Sequence, residues 1–406
     1  MKDRKVLVVG AGAQGGPCAS ILSRQEDVSK IVLGDIDIDL ATRVKEKIKS
    51  DKVTAVKLNA SKIEEIEKAA SGADVIINLT LCEFNDNILK AALNTGSHYV
   101  DAAGFFDSES EFEKADNEFK KAGLTAFTCC GASPGITNVM ARYACDKLDK
   151  VDEIRIRLCG RALEKPREIV SGWEPTWSPE IALTDYADKP TVFENGEYKE
   201  YPPFSGSEEY PFPEPVGPAS VAYHSHEEPF TLPRFIGKGI TYCDFKYPID
   251  PIAGALVKMG FASYKPIDVK GTKVAPIHVL MKLVRQPVGT FLSESEGTAR
   301  LLASAAAYSI VVEVKGASSG EKVNYTLSMP SMTADENVWL FKKFGTAEIM
   351  IALPSVIAAK MCLSREAPNG VIAPECIDPV RFLKISADMG APLKFHEVSS
   401  REISIS

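Results

Sequence analysis

The feature that most constrains the fold is a glycine-rich segment near the N-terminus, Gly10-Ala11-Gly12-Ala13-Gln14-Gly15, which directly follows the apolar run Val6–Val9. After a strand, the first glycine of such a segment permits a tight turn, the second lets the backbone approach a pyrophosphate, and the third allows close helix packing. Asp35 ends the next apolar run 20 positions after Gly15, where a carboxylate can bind the ribose hydroxyls of adenosine. The pattern predicts dinucleotide binding, against the alternative of a glycine turn without a ligand.

Short apolar runs alternate with segments of helical spacing through the first 130 residues. The predicted strands are Val6–Gly10, Lys30–Asp35, Val53–Leu58, Ala73–Leu79, His98–Asp101 and Leu124–Cys130. The predicted helices are Gly15–Ser23, Asp39–Lys49, Lys62–Ser71, Asn85–Asn94 and Ser110–Lys121. Right-handed crossovers between such units give an α/β fold with a doubly wound parallel sheet, the Rossmann architecture.

The end of the second predicted strand also bears on the choice of coenzyme. Asp35 would repel a 2′-phosphate, and the residues that follow, Ile36 and Asp37, supply no arginine to accept one. The sequence therefore predicts NAD, with NADP left open because Arg43 could swing in to bind the phosphate. The expected dinucleotide contacts are Gly10, Gly12, Ala13, Gln14, Gly15, Asp35, Ile36, Leu79 and Asp101.

Composition excludes several other classes of protein. The 47 Lys and Arg against 55 Asp and Glu give a net charge of -8, which disfavours binding to nucleic-acid phosphates. The nine cysteines show no Cys-x-x-Cys spacing, so we expect reduced thiols and no metal site. The apolar stretch 347–363 is interrupted by a glutamate, a proline and a lysine, which argues against a membrane helix. No apolar signal core follows the first residues, and a cytoplasmic location is expected.

The pattern changes after about residue 150, and the length of 406 residues suggests more than one domain. Val151–Cys159 alternates like a strand, and Tyr308–Lys315 and Val323–Met329 form a predicted hairpin around the turn sequence GASSG. The proline-rich segment Pro202–Pro218 predicts a loop or lid. We expect a dinucleotide-binding domain over 1–150, an α/β substrate-binding domain over 151–345, and C-terminal helices over 346–406 that return to the first domain.

Two residues of the fifth predicted strand lie where ligands bind in open α/β sheets. Tyr99 either orients or protonates a substrate or packs under the nicotinamide. Asp101 either faces the ligand or caps the following loop. Both alternatives stay open at this point.

Two further segments carry polar groups suited to a ligand. In Cys129–Gly135, Pro134 is expected at the first position of a helix, and the junction either binds an anion or uses Ser133 as an N-cap. Arg234 suits a carboxylate, although an ordinary ion pair is the alternative. His224 and His226 alternate along one predicted strand, but neither a cysteine nor a third histidine lies nearby to complete a metal site.

Together these residues resemble the saccharopine dehydrogenase-like family over nearly the whole chain. The resemblance rests on VLVVGAGAQGG with Asp35, HYVDAAG, SPGITNVMARYA, the strand ending Leu158-Cys159-Gly160, Trp177-Ser178-Pro179, YHSHEEPFTLPRFI and GVIAPE. It implies a Rossmann domain joined to a second, mixed α/β domain for substrate binding and dimerisation. It also implies a homodimer that moves a hydride between nicotinamide and a carbon bearing an amino-acid nitrogen.

The resemblance further implies roles for individual residues. Tyr99 and Cys159 match the tyrosine and cysteine assigned to catalysis in saccharopine reductases, whereas Ser133 stands where those enzymes have an acidic residue. That departure favours a different amine, of the lysine type, over saccharopine itself. The expected substrate contacts are Ser133, Gly135, Ser178, His226, Arg234 and Lys246.

The sequence thus predicts an NAD(P)-dependent oxidoreductase that acts on a small-molecule amino-acid amine or imine. The alternative is a non-catalytic dinucleotide sensor, for which the loss of the acidic residue at Ser133 leaves room.

Overall fold

The computed structural model of the protein describes residues 3–106, 108–163, 173, 175, 177–284 and 287–402. Its strands are β1 (Arg4–Val9), β2 (Val28–Asp35), β3 (Val53–Lys57), β4 (Val75–Asn78), β5 (His98–Asp101), β6 (Thr125–Phe127), β7 (Lys150–Ala162), β8 (Thr191–Glu194), β9 (Glu197–Glu200), β10 (Glu208–Pro211), β11 (Pro218–Tyr223), β12 (Tyr242–Tyr247), β13 (Ile267–Val269), β14 (Thr272–Val274), β15 (Ala306–Ser318), β16 (Glu321–Met329), β17 (Gly370–Ile372) and β18 (His396–Arg401).

Helices occupy most of the segments between these strands. They are α1 (Gly15–Ser23), α2 (Ile38–Ile48), α3 (Ile63–Ala70), α4 (Asn85–Thr95), α5 (Glu109–Ala122), α6 (Ile136–Cys145), α7 (Pro179–Ala187), α8 (Glu228–Ile236), α9 (Pro251–Lys258), α10 (Pro276–Leu283), α11 (Val288–Ser293), α12 (Glu296–Ala305), α13 (Ala334–Phe344), α14 (Ala352–Leu363) and α15 (Pro379–Asp388). Within the described ranges, none of them combines the length and the apolar character that a bilayer crossing demands.

The chain divides into two compact units. The first comprises the residues up to Tyr143 together with Thr290–Ala299 and Asp335–Leu393. The second comprises Ala144–Gly289, Arg300–Ala334 and the residues from Lys394 onward. The domain boundaries expected from the sequence stay predictions, and the last described strand, β18, pairs with β16 in the second unit.

The first unit is a parallel sheet with the strand order β17-β6-β5-β4-β1-β2-β3. Every pairing in this sheet is parallel, and the order reverses between β1 and β4, as in a doubly wound fold. This confirms the fold class predicted from the alternating pattern. The seventh strand, β17, escaped prediction because its three residues, Gly-Val-Ile, carry no periodicity that marks a strand.

Helix α14 explains the apolar stretch that begins near residue 347. All of its residues except Lys360 are buried, and it packs against α1, β4 and β5 in the first unit. An apolar helix that is buried on all sides is a core element. Lys360 reaches the surface and forms an ion pair with Asp27, with Nζ 2.8 Å from Oδ1.

The second unit is built on a mixed sheet with the order β10-β11-β12-β7-β15-β16-β18. Strand β7 pairs parallel with β12 and antiparallel with β15. The predicted hairpin is present as β15 and β16, but its turn is shorter than GASSG, because Ser318 already pairs with Glu321. Ser319 and Gly320 form the turn with positive φ angles of 53° and 82°, as a tight two-residue hairpin requires.

The proline-rich segment contains more order than a loop. It includes β10, which pairs with β11 at the edge of the second sheet, a position where prolines are tolerated. Two apolar residues that follow β10, Phe212 and Val216, are buried. The segment therefore covers part of the sheet.

A buried ion-pair network fixes this segment to the sheet. The guanidinium of Arg157 on β7 binds both carboxylate oxygens of Asp244 on β12, at 2.7 and 2.9 Å, and its Nε donates to Glu208 on β10 at 2.5 Å. The side chains of Arg157 and Asp244 are 2% and 0% exposed. Burial opposes the charge on Arg157, but the two carboxylates outweigh it and raise the pKa of the guanidinium.

Candidate functional site

The glycine-rich segment forms the turn between β1 and α1, and each of its three glycines is there for a different reason. Gly10 has a φ of +96°, and a Cβ there would lie 2.7 Å from the carbonyl oxygen of Leu79. A Cβ on Gly15 would lie 1.8 Å from the carbonyl oxygen of Gly10. A Cβ on Gly12 would meet no atom within 4 Å. Gly10 and Gly15 are thus required by the fold, whereas Gly12 leaves an open surface.

The N-terminus of α1 faces this open surface. No side chain caps the helix, and the N–H of its first residue, Gly15, has no acceptor among the described residues, so this N–H and the positive end of the helix dipole are available to an anion. The side chain of Gln14 at the N-cap is turned inward, and its Oε1 is buried without a hydrogen-bond partner among the described residues. An open glycine surface and an uncapped helix fit the pyrophosphate of a dinucleotide.

Asp35 holds the glycine-rich loop in place. Its Oδ2 accepts a hydrogen bond from the Ala11 N–H at 2.6 Å, and its Oδ1 accepts one from the Asp37 N–H at 2.9 Å. The carboxylate thus joins the ends of β1 and β2, beside the position predicted for the adenosine ribose. Ile36 is 63% exposed, and Arg43 is exposed on α2 with no hydrogen bond or ion pair among the described residues.

A polar network follows at the ends of β4 and β5. Asn78 at the end of β4 donates from Nδ2 to Asn85 at 2.7 Å and to the Tyr99 hydroxyl at 3.1 Å. Asp101 accepts from the Cys129 N–H at 2.7 Å. Sequence reasoning missed Asn78, although a polar residue at the end of an otherwise apolar strand was a signal available for it.

Tyr99 is completely buried within this network. Burial and the neighbouring Asp101 carboxylate raise the pKa of its hydroxyl well above the usual value. This shift is opposite to the tuning towards neutrality that a proton relay needs. A catalytic role for Tyr99 stays a prediction, and the observed contacts are those of a residue that supports Asn78 and Asp101.

The loop after β6 differs from its predicted form. Helix α6 begins at Ile136, so Pro134 is not its first residue, and the Ser133–Pro134 peptide bond is cis. The Gly135 N–H donates to Oδ1 of Asn138 at 2.8 Å, and Asn138 in turn donates from Nδ2 to Glu375 at 3.0 Å. Asn138 thus supplies a side-chain acceptor for the N–H just before the helix, and an N-cap role for Ser133 stays a prediction.

The other half of this loop is equally tight. Gly131 donates its N–H to the Pro134 carbonyl at 2.8 Å. The Ser133 hydroxyl is within 3.5 Å of Thr137 Oγ1. Two of the backbone N–H groups in this loop, those of Gly131 and Gly135, therefore already have protein acceptors, and substrate contacts by Ser133 and Gly135 stay predictions.

In the second unit, the predicted site residues lie on opposite faces of the sheet. Side chains two positions apart in a strand share a face. Arg157 and Cys159 therefore share one face of β7, and Lys246 lies on that same face of β12, since it pairs with Arg157. Phe245 and His226 lie on the opposite face, with their rings stacked at a centroid distance of 3.8 Å.

Cys159 and Lys246 both have partners within the fold. Cys159 packs with Phe212 and Val216 beneath the proline-rich segment, and burial raises the pKa of its thiol, with Arg161 opposing the shift. Lys246 Nζ lies 3.2 Å from Glu208 and 4.6 Å from the centroid of the Tyr223 ring. Their catalytic and substrate-binding roles stay predictions, and the environment around each is that of a core side chain.

The opposite face carries an imidazole with a dedicated carboxylate. His226 Nδ1 forms a short hydrogen bond with Glu228, whose side chain is completely buried. The Glu227 carboxylate lies 3.7 Å from the same nitrogen. Burial disfavours the imidazolium, but the Glu228 carboxylate outweighs it and raises the pKa of His226 to about 9. His226 is therefore protonated at neutral pH.

The surroundings of His226 are aromatic and acidic. His224, fully buried, has its pKa lowered to about 3 by burial and by the charge on His226. Tyr186 packs edge-on against His224 at 4.7 Å. Asp185, one residue earlier on α7, is half-buried, and burial raises its pKa well above the usual value while His226 opposes the rise. The atoms of His226, Glu227 and Glu228 that could bind a metal ion lie within 4.8 Å of one another. The Glu228 carboxylate, however, is already hydrogen-bonded to the His226 imidazole.

The remaining predicted substrate residues lie on helices. Ser178 is the N-cap of α7 and accepts from the Ile181 N–H at 3.3 Å, followed by Pro179 at the first helical position. Arg234 lies half-buried in the last turn of α8. Ser178 thus caps α7, and the expected substrate contacts of Ser178 and Arg234 stay predictions.

A parallel sheet with an open glycine surface, an uncapped helix and a carboxylate at the end of β2 defines a dinucleotide-binding protein of the Rossmann class. Residues 6–127 match the family model of the saccharopine dehydrogenase NADP binding domain, and residues 131–390 match that of the saccharopine dehydrogenase C-terminal domain. The chain therefore belongs to the saccharopine dehydrogenase family, as its resemblance indicated, and it is an NAD(P)-dependent oxidoreductase.

Individual relatives agree with this assignment. The chain is 24% identical to the carboxyaminopropylagmatine dehydrogenase of Synechocystis over 97% of each chain. Its fold is similar to that of the L-Glu-forming saccharopine dehydrogenase of Saccharomyces cerevisiae, with 16% identity, a TM-score of 0.66, and coverage of 97% of this chain and 100% of the other. The homospermidine synthase of Legionella pneumophila, solved in complex with NAD, has the same TM-score of 0.66 at 13% identity, over 98% of this chain and 92% of the other.

The contrast between Gly12 and Gly15 gives a test of the dinucleotide site. Gly12→Ala is expected to leave the unfolding temperature unchanged and to weaken dinucleotide binding by at least about tenfold, or about 1.4 kcal/mol, because its methyl group would occupy the open surface. Gly15→Ala is expected to lower the unfolding temperature, because its Cβ would overlap the Gly10 carbonyl. Calorimetric titration and thermal unfolding measure the two effects, and unchanged binding by Gly12→Ala would contradict the assignment.

Proposed function

We propose that the protein transfers a hydride reversibly between a nicotinamide dinucleotide and the C–N carbon of an amino-acid amine or the corresponding imine. The observation that carries this proposal is the glycine cradle with Asp35, in a chain whose residues 6–127 and 131–390 both match saccharopine dehydrogenase family models. The relatives named above include dehydrogenases of carboxyaminopropylagmatine and of saccharopine. Both names denote amines that bear a carboxylate.

The residues of the first unit have separate tasks in holding the dinucleotide. Gly12 and the N-terminus of α1 receive the pyrophosphate. Asp35 binds the adenosine ribose while it orients Ala11. When bound, the nicotinamide supplies the hydride acceptor in amine oxidation and the hydride donor in imine reduction.

NAD(H) is the proposed coenzyme. The Asp35 carboxylate would face a 2′-phosphate with like charge, and the adjacent Ile36 offers no hydrogen bond from its side chain. Arg43 is the group that could instead favour NADP(H), since it is exposed on α2 close in sequence to Asp35. The family model for residues 6–127 is described as NADP binding, so the preference has to be measured for this chain.

The substrate is proposed to bind through its carboxylate to Arg234, since a guanidinium can donate two parallel hydrogen bonds to a carboxylate. Ser133 occupies the position where the resemblance leads us to expect an acidic residue, and we retain a lysine-type amine as the favoured substrate. The homodimer and the cytoplasmic location remain expectations from the resemblance and from the sequence.

Activity is the first prediction. The purified chain with NAD is expected to oxidise at least one member of a panel of carboxylate-bearing amines, namely lysine, saccharopine and N-carboxyalkyl diamines, as measured by NADH absorbance. The same amines without a carboxylate are the matched controls and should react far more slowly. A chain that binds NAD but oxidises no member of the panel, and reduces no corresponding imine, would favour the sensor alternative.

Coenzyme preference is the second prediction. NAD(H) should bind at least about tenfold more tightly than NADP(H), equivalent to about 1.4 kcal/mol. Asp35→Asn should reduce the difference between the NAD(H) and NADP(H) affinities, because asparagine keeps an acceptor for the Ala11 N–H but removes the negative charge. Calorimetry measures both affinities, with Glu46→Gln on the exposed side of α2 as the charge-matched control. Equal or tighter NADP(H) binding by the unaltered chain would contradict the proposal, and Arg43→Gln would then show whether Arg43 accepts the phosphate.

Substrate anchoring is the third prediction. Arg234→Met is expected to raise KM for the carboxylate-bearing amine by about 10- to 150-fold, equivalent to roughly 1.5 to 3 kcal/mol for a charge-assisted contact. NAD affinity should not change, because Arg234 belongs to the second unit. The control is Arg401→Met, which removes an exposed arginine from the same unit. A parallel loss of NAD affinity in Arg234→Met would mean that Arg234 is structural.

A further inference from the structure

The chemistry of the proposed reaction requires a group that exchanges a proton with the substrate nitrogen. An ammonium cannot lose a hydride from its carbon until its nitrogen has become a neutral amine. The candidates from the resemblance, Tyr99 and Cys159, are both buried with raised pKa values. The proton-exchanging group is therefore to be sought elsewhere among the described residues.

His226 has the geometry of such a group. Because an ionised carboxylate only accepts hydrogen bonds, the bond to Glu228 places a proton on Nδ1. A neutral imidazole held in this way keeps its lone pair on Nε2. That nitrogen has no hydrogen-bond partner among the residues that the structure describes, and 14% of the His226 side chain remains accessible.

The ring is also held rigidly. It stacks on Phe245 with an angle of 16° between the planes, and the completely buried Glu228 fixes its rotation. Carboxylate, imidazole and an accessible second nitrogen form the arrangement by which a buried acid orients a catalytic histidine.

The groups that face His226 set the charge of the site. They are Glu228 and Glu227 from the start of α8, Asp185 from α7, and the neutral His224 that follows β11. Asp185 forms no hydrogen bond with another described residue, so its carboxyl is available to accept one from a substrate N–H. The site thus combines one imidazole with acidic acceptors, which suits a cationic nitrogen.

We propose that His226 is the catalytic acid–base of this enzyme and that Glu228 is its positioning residue, an inference that rests on the proposed function. In amine oxidation, Nε2 takes one proton from the substrate ammonium. The resulting amine loses a hydride with its electron pair to NAD⁺ and becomes an iminium. The products are iminium, NADH and the proton held on His226, so atoms and charge balance, and imine reduction reverses each step.

This role has a defined pH dependence. Only neutral imidazole can act as the base, and with a pKa of about 9 it is a minor form at neutral pH. The kcat/KM for oxidation should therefore rise about tenfold per pH unit below about 9, while reduction should fall above that value. Glu228→Gln removes the carboxylate that raises the pKa of His226. The pH at which kcat/KM for oxidation levels off should therefore be lower in this variant. The pKa of the free substrate amine cannot depend on this substitution.

Substitutions of His226 and Glu228, with one control variant, test the assignment. His226→Gln should lower kcat about 10²- to 10⁴-fold with NAD affinity and unfolding temperature retained. Free imidazole should restore part of the activity of His226→Ala. The matched control is His278→Gln, which alters an exposed histidine of the same unit and should leave kcat and the pH profile unchanged. Titration of the imidazoles by NMR gives the His226 pKa without reference to activity, and it should fall in Glu228→Gln.

The results distinguish failure of the proposed function from failure of the His226 assignment. A wild-type chain that oxidises no amine would overturn both the proposed function and this inference. If the wild type is active, two results would overturn only the assignment of His226. One is a His226→Gln variant with the same kcat as the wild type, and the other is a Glu228→Gln variant with the same pH dependence of kcat/KM. If His226→Gln unfolds, the shift in the Glu228→Gln profile and the NMR titration still decide the question.

Discussion

The rest of the first unit depends on the contact between the Asp35 carboxylate and the glycine-rich loop. Asp35 ends β2, and its hydrogen bond to Ala11 fixes the turn that carries the chain from β1 into α1. This turn is possible because Gly10 takes a positive φ and Gly15 approaches the Gly10 carbonyl more closely than any Cβ would allow. The same turn leaves the N-terminus of α1 without a side-chain cap. The backbone geometry of this turn and the surface that fits a dinucleotide are thus one feature.

The second unit places its polar groups differently, by dividing them between two faces of one sheet. On one face, Arg157 neutralises Asp244 and Glu208, and the proline-rich segment covers Cys159. On the other face, Glu228 raises the pKa of His226, and Nε2 of this ring has no hydrogen-bond partner among the described residues. A buried, fully paired network stabilises a fold, whereas an accessible nitrogen beside a dedicated carboxylate is available for chemistry.

The difference between predicted and observed site residues follows from this division. Strand alternation placed Cys159 at the end of a predicted strand, but it could not show that Phe212 and Val216, more than 50 residues away, would pack on it, or that Glu208 would pair with Lys246. The sequence placed His226 correctly among polar residues but gave no sign that Glu228 would bind it. Pro134 satisfied the rule for a helix start, yet the helix begins at Ile136, and Asn138 accepts the hydrogen bond of the Gly135 N–H just before it.

The sequence by itself determined the doubly wound sheet, the dinucleotide loop and the family, because these depend on local periodicity and on glycines whose conformational role is visible within six residues. Only the tertiary structure decided which ionisable groups are buried, paired or accessible. The pKa values of Tyr99, Cys159 and His226 depend on residues distant in sequence or on the burial that packing produces, and the same side chain becomes inert or reactive according to those neighbours.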